Sequence, residues 1–270
     1  EQYGIKFHFV SMGNAVSIKD FINENTKLIW VETPTNPTMQ IIDIKAMGEI
    51  AKSNNILLAV DNTFATPYLQ TPLDLGADII MHSATKYLGG HSDVVMGILV
   101  CKDEVIAKEI YRIQNSSGAI CGPMDSFLVL RGIKTLHLRM REHCKNGKAV
   151  ANFLKEHPKV DKVYWPGLTS HKNHEIAKEQ MKDFGGMVSF SLKGDQLEDA
   201  LEVLKKFKVF SLAESLGGVE SLISHPVSMT HAAIPKKERE KVGVTESLIR
   251  LSIGIEDSED LIQDLKQALK

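Results

Sequence analysis

Lys86 stands in the run Ser83-Ala84-Thr85-Lys86-Tyr87-Leu88-Gly89-Gly90-His91, behind two hydroxyl residues and ahead of a glycine pair. A lysine amine is a nucleophile that forms a Schiff base with a carbonyl. Hydroxyls two positions apart, at Ser83 and Thr85, can both donate to phosphate oxygens while the amine turns toward the ring of the same ligand. The common biological aldehyde that also carries a phosphate is pyridoxal phosphate. A solvated lysine beside capping hydroxyls is the plainer alternative for an SxTK stretch taken alone. Asp61 closes a separate apolar run, Ile56–Asp61, just before Asn62-Thr63. A carboxylate there can pair with a pyridinium nitrogen, keep it protonated and make the ring an electron sink. A turn or capping aspartate is its plainer alternative. An aspartate at one strand end, followed one strand later by a lysine in a phosphate-like loop, favours the cofactor reading of both.

These residues need a scaffold, and the first hundred residues supply the pattern of one. Lys27–Glu32 is a short apolar run ending in an acid, followed by the loop Thr33-Pro34-Thr35-Asn36-Pro37. Apolar positions at Ile44, Met47, Ile50 and Ala51 have the spacing of a helix with one buried face. Ile56–Asp61, Asp78–Met81 and Gly97–Val100 are further short apolar runs. Runs apolar on both faces and joined by helices predict an α/β fold with a mostly parallel sheet. Ligands in such sheets lie at the carboxyl ends of the strands, where Asp61, the residues after Glu32 and the segment from His82 all fall. Ile5–Val10 also reads as a strand.

Further along, Pro123–Glu156 is charged and helix-periodic and reads as one long helix, with Gly132 and Gly147 as kink positions. Val160–Tyr164, Met187–Leu192 and Leu248–Ile253 read as strands. Glu175–Lys182, Leu197–Lys206 and Ser258–Leu269 read as helices. This mixture predicts a smaller C-terminal α+β domain, 138–270, after a larger domain, 1–137.

The composition narrows the class. The 270 residues carry 32 basic and 34 acidic side chains, a formal charge of −2, which leaves no electrostatic case for nucleic acid or an anionic membrane. No apolar run approaches the roughly 20 residues of a membrane span. Cys101, Cys121 and Cys144 are too few and too scattered for a disulfide scaffold or a zinc site, and they point to a reducing, cytoplasmic compartment. They read as small buried hydrophobes. His171 and His174 lack an acid or cysteine at ligand spacing, so no metal site is expected.

The segments TPTNP, VDNTFATP, SATKYLGGHSDVVMG, RGIKTLHLRM, AESLGGVESL, MTHA and LIRLSIGIED, in this order, resemble the Cys/Met-metabolism (transsulfuration) family of pyridoxal-phosphate enzymes. The resemblance runs the length of the chain and is nearest to the family's cystathionine γ-lyases and γ-synthases. It implies the aspartate-aminotransferase fold type I. It also implies that Lys86 is the Schiff-base lysine and proton shuttle, Asp61 the pyridine-nitrogen partner, and Ser83 and Thr85 phosphate ligands. Asn36 matches the residue near the cofactor's ring oxygen and the substrate carboxylate. Arg250 matches the clamp on the substrate α-carboxylate, assisted by Ser215, and a planar guanidinium suits that bidentate task. Thr230 falls near the cofactor, and His82, His91 and His231 near the pocket.

The activity so implied is γ-elimination of cystathionine, with γ-replacement on an O-acylhomoserine by cysteine as the alternative. Glu214 can attract the distal ammonium of cystathionine or of incoming cysteine. Gln114-Asn115-Ser116 lacks the Lys-Asp pair associated with methionine γ-lyases. The family also implies a homotetramer built from dimers. Its members carry a further N-terminal segment, with a tyrosine stacked on the cofactor and a glycine-rich phosphate loop, ahead of the position matching Glu1. A chain beginning here is expected to bind cofactor weakly, and an inactive fragment or assembly subunit is the reading of another class.

Overall fold

The computed structural model describes residues 3–230 and 232–270, built around two sheets. His231, expected near the pocket, lies outside the described residues. In the first sheet β1 (Leu28–Glu32), β2 (Leu57–Asp61) and β3 (Ile79–Ser83) run parallel, and β4 (Gly97–Cys101) pairs antiparallel with β3. All three parallel strands therefore deliver their last residues, Glu32, Asp61 and Ser83, to one edge. α1 (Ile44–Ser53) connects β1 to β2, capped by Asp43, whose side chain accepts from the Ala46 N–H at 2.9 Å. Its buried face of Ile44, Met47 and Ala51 packs with Ile29, Val31, Leu58 and Val60 on one side of the sheet. Leu28, Trp30 and Leu57 point to the other side and are exposed.

The second sheet has the order β5-β6-β9-β8-β7 and is antiparallel except for its last pair. Its strands are β5 (Val160–Tyr164), β6 (Met187–Leu192), β7 (Ser211–Leu212), β8 (Leu222–Ser224) and β9 (Ile249–Ser252). The three interior strands, β6, β9 and β8, are buried along their whole length. Val188, Phe190, Ile249 and Leu251 form a core with Val150 and Leu154, Ala200 and Val203, and Leu261 and Leu265. Those pairs belong in turn to α5 (Leu136–Glu156), α7 (Leu197–Leu204) and α9 (Ser258–Ala268). Among the described residues no helix is long and apolar enough to cross a membrane.

Several elements differ from the sequence expectation. Ile5–Val10 is not a strand: among the described residues it pairs with no neighbour, and Phe7 and Phe9 are exposed. The long helix is two, α4 (Pro123–Ile133) and α5. They part where Thr135 Oγ1 donates to the Gly132 carbonyl and accepts from Arg139 Nε, so the side chain takes over a helix-terminal acceptor. Gly147 is no kink. A Cβ there would come within 2.6 Å of the Gly185 carbonyl, so the glycine permits close packing of an unbroken helix. A helix that the sequence reading omits, α3 (Glu104–Ser117), carries apolar Ile106, Ile110 and Ile113 at helical spacing and a capping Asp103, yet buries none of its residues in this chain. Cys144 is buried as expected, whereas Cys121 is exposed.

Candidate active site

The carboxyl edge of the first sheet opens into a cleft of about 540 Å³. From the first sheet and its loops come Glu32, Asn36, Asp61, Thr63, Phe64, Ser83 and Lys86; from the other side come Glu214, Ser215, Leu216, Thr230 and Arg250. Eight residues singled out in the sequence thus meet in one place.

Lys86 is set by a tight turn. Its N–H donates to the Ser83 carbonyl at 3.1 Å, and the Gly90 N–H returns to the Lys86 carbonyl at 2.8 Å. Thr85 does not line the cleft: Met96 N–H donates to its hydroxyl at 3.0 Å, which pins the turn to the approach of β4. Gly90 has φ +75°, and a Cβ there would strike the Arg139 guanidinium. Arg139 in turn donates to the Tyr87 carbonyl at 2.7 Å and to the Gly132 carbonyl at 2.8 Å, binding the lysine turn to the α4–α5 junction. Sequence reasoning assigned Arg139 no task, because its partners are backbone oxygens that only the fold brings near. The Lys86 amine donates to Ser215 Oγ at 3.3 Å. Burial, and then the positive charge of Arg250, hold its pKa below the usual lysine value, so the nucleophilic free amine is more accessible.

Asp61 is ordered by its own turn, its Oδ1 accepting the Thr63 N–H at 3.0 Å. Thr63 Oγ1 then accepts the Ser83 N–H at 2.8 Å, joining the ends of β2 and β3. Glu32 and Thr63 both line the cleft and were missed in the sequence. The available signal for Glu32 was the acid closing its apolar run. In the parallel register Glu32 lies opposite Asp61. Burial is the main reason its pKa is pushed up to about 7; the Asn36 N–H opposes the rise and the Asp61 charge adds to it. His82 is buried, and His91 Nδ1 bonds the Gly89 carbonyl; neither lines the cleft. His171 Nε2 and His174 Nδ1 lie on the carbonyls of Met39 and Pro166. Gln114-Asn115-Ser116 is on the exposed α3, away from the cleft.

Arg250 is 2% exposed, a full positive charge inside the fold. Nη1 donates to Asn36 Oδ1 at 2.9 Å, and Nη2 to the Glu214 and Ser215 carbonyls at 2.9 and 3.2 Å. These partners are neutral oxygens, and Nε has none among the described residues. Burial pushes the guanidinium pKa down to about 10. A buried cation held by dipoles, with a donor left over, is suited to an incoming carboxylate. The loop bearing Glu214 and Ser215 passes so close to Lys86 and Tyr87 that a Cβ on Gly217 (φ +78°) would meet the Tyr87 nitrogen at 2.8 Å.

The donor set fits pyridoxal phosphate. It offers a half-buried amine of lowered pKa for an aldehyde, a carboxylate for a ring nitrogen, hydroxyls at Ser83 and Thr63, and Asn36 beside the guanidinium.

Comparison with known proteins gives the same direction. Residues 1–270 match the profile of the family described as Cys/Met metabolism PLP-dependent enzyme. A cystathionine gamma-lyase of Dictyostelium discoideum is 52% identical over 267 residues, covering 99% of this chain and 69% of that protein. A cystathionine beta-lyase of Coxiella burnetii is also 52% identical, over 98% of this chain and 69% of that protein. A further relative is named L-methionine gamma-lyase, from Fusobacterium nucleatum. The solved cystathionine gamma-lyase of Lactobacillus plantarum complexed with L-serine superposes with a TM-score of 0.96 at 44% identity, covering 99% of this chain and 70% of that one.

Proposed function

Because the chain belongs to the Cys/Met-metabolism family of pyridoxal-phosphate enzymes, we propose that it carries the γ-lyase activity on cystathionine. The reaction consumes cystathionine and water and yields cysteine, 2-oxobutanoate and ammonia. One observation supports this most: the buried Arg250 guanidinium and the exposed Glu214 side chain line the same cleft with opposite charges. That suits a substrate with an α-carboxylate at one end and a distal ammonium at the other.

When bound, pyridoxal phosphate supplies a conjugated electron-poor ring that accepts the electron pair left at the substrate's α-carbon. Lys86 is the group that moves protons. Its Nζ removes the α-proton and then shifts a proton at the β-carbon, after which the γ-carbon–sulfur bond can break and the thiolate leave. Asp61 holds a proton on the ring nitrogen. Ser83 and Thr85 are phosphate ligands in this reading, although the Thr85 hydroxyl is engaged with Met96 and Thr63 offers a second hydroxyl in the cleft. Arg250, Asn36 and Ser215 hold the α-carboxylate, and Thr230 borders the cofactor. We read the five-stranded sheet and its helices as the small domain, 138–270, with α5 beginning at the boundary. The exposed Tyr111, Met124, Phe127 and Leu130 on α3 and α4 are suited to burial against another copy of the chain, and the homotetramer is what the family resemblance adds.

Product analysis tests this. Cysteine and 2-oxobutanoate from cystathionine are expected. Homocysteine and pyruvate instead would assign β-elimination. Cystathionine made from O-succinylhomoserine plus cysteine would assign γ-replacement.

A further inference from the structure

Glu32 has no task in the reading above, yet contacts lead from it to the substrate clamp. Its Oε1 accepts the Asn36 N–H at 2.7 Å. Asn36 Oδ1 accepts from Arg250 Nη1 at 2.9 Å. The other Nη of Arg250 is tied to the Glu214 and Ser215 carbonyls. The series therefore starts at the end of β1 in one sheet and finishes at the buried guanidinium on β9 in the other. Between Glu32 and Asn36 lie three residues, and the loop beyond is fixed by Thr35, whose N–H donates to the Gln40 carbonyl and whose hydroxyl accepts the Gln40 N–H, both at 3.0 Å. The far side of the loop is thus held, and the Asn36 end is held by Glu32.

We infer that Glu32 is a positioning residue: by accepting the Asn36 N–H it fixes the turn through which Asn36 orients Arg250 toward an amino-acid carboxylate. Either protonation state of a carboxyl group keeps an oxygen able to accept that hydrogen bond, so the role does not depend on its charge. The inference rests on the amino-acid-substrate reading and adds the residue that orients its clamp.

The test is steady-state kinetics of the cofactor-loaded enzyme, with its visible cofactor absorbance recorded alongside. Glu32→Ala should raise KM about tenfold, the scale of one hydrogen bond, while kcat and absorbance stay near wild type. Glu32→Gln keeps a carbonyl acceptor and should restore KM. Glu32→Asp, which withdraws the oxygen by one methylene, carries the same test should the alanine variant fold poorly. In an Arg250→Lys background Glu32→Ala should add no further rise, because both changes break one series of contacts. An unchanged KM in Glu32→Ala, a glutamine variant as impaired as alanine, or additive effects with Arg250→Lys would each overturn the inference. All values are ratios to wild type on whichever amino acid it turns over, so failure here is separable from failure of the cystathionine reading.

Discussion

Glu32 and Asp61 end two parallel strands in the same register, so two carboxyl groups share the rim of one cleft. The half-buried Glu32 keeps its proton up to about pH 7, whereas its ordinary value is near 4.5. A raised carboxyl pKa means the folded chain holds a proton that the unfolded chain has released. Stability from this group is therefore complete below about pH 4.5 and is lost as pH rises through about 7.

Glu32→Gln should remove that loss. The stability difference between variant and wild type should grow by about 3 kcal/mol in the variant's favour from pH 4 to pH 8, at roughly 1.4 kcal/mol per pKa unit. Denaturant unfolding at the two pH values reads it. Equal differences at both would show that Glu32 does not retain its proton.

Lys86→Ala should abolish the borohydride-trapped covalent attachment of the cofactor to the chain and lower turnover by about a thousandfold or more, since nucleophile and proton carrier are lost together. Cofactor still covalently trapped in the mutant would place the attachment elsewhere.

Arg250→Lys keeps the charge and loses the planar fork. KM for amino-acid substrates should rise roughly ten- to a hundredfold, with kcat less affected. A kcat loss at constant KM would mean that the guanidinium acts on the reacting atoms rather than on the carboxylate.

Glu214→Ala distinguishes substrates. The exposed Glu214 is expected to serve a distal ammonium, so KM for cystathionine should rise by about threefold to tenfold while KM for methionine, which lacks that ammonium, stays constant. Parallel changes on both substrates would remove the charge from the specificity argument.

Gly132→Ala opposes two effects. In a helix the change ordinarily stabilises by about 1 kcal/mol. Here a Cβ would lie 2.3 Å from the Gly89 carbonyl, a backbone atom of the lysine turn that cannot move independently. Overpacking of about 1–3 kcal/mol should win, lowering stability and disturbing Lys86. A thermal melt at or above wild type would show that the α4–α5 junction yields.

Part of the cleft's chemistry was legible in the chain because its groups close recognisable local units, while Arg250, Ser215, Asn36 and Thr230 came only from the family resemblance. Asp61 and Glu32 end apolar runs, Lys86 follows hydroxyls and precedes two glycines, and parallel strands bring such ends to one edge. The helices with one buried face were also legible, from their 3.6-residue period. α3 was overlooked although Ile106, Ile110 and Ile113 have helical spacing behind the capping Asp103, and Ile5–Val10 misled because an apolar alternation becomes a strand only where a partner strand exists.

Backbone propensity, apolar period and residue chemistry are local properties, and with the motifs in their order they determined the α/β pattern, the lysine, the aspartate and the family. What tertiary structure alone decided lies between residues distant in the chain. Arg250 reaches Asn36 across 214 positions, and Arg139 binds the backbone of the turn that bears Lys86. The proton on Glu32 depends on burial and on a carboxylate from the next strand. Such distances, desolvation and neighbouring charge exist only once the two sheets have packed.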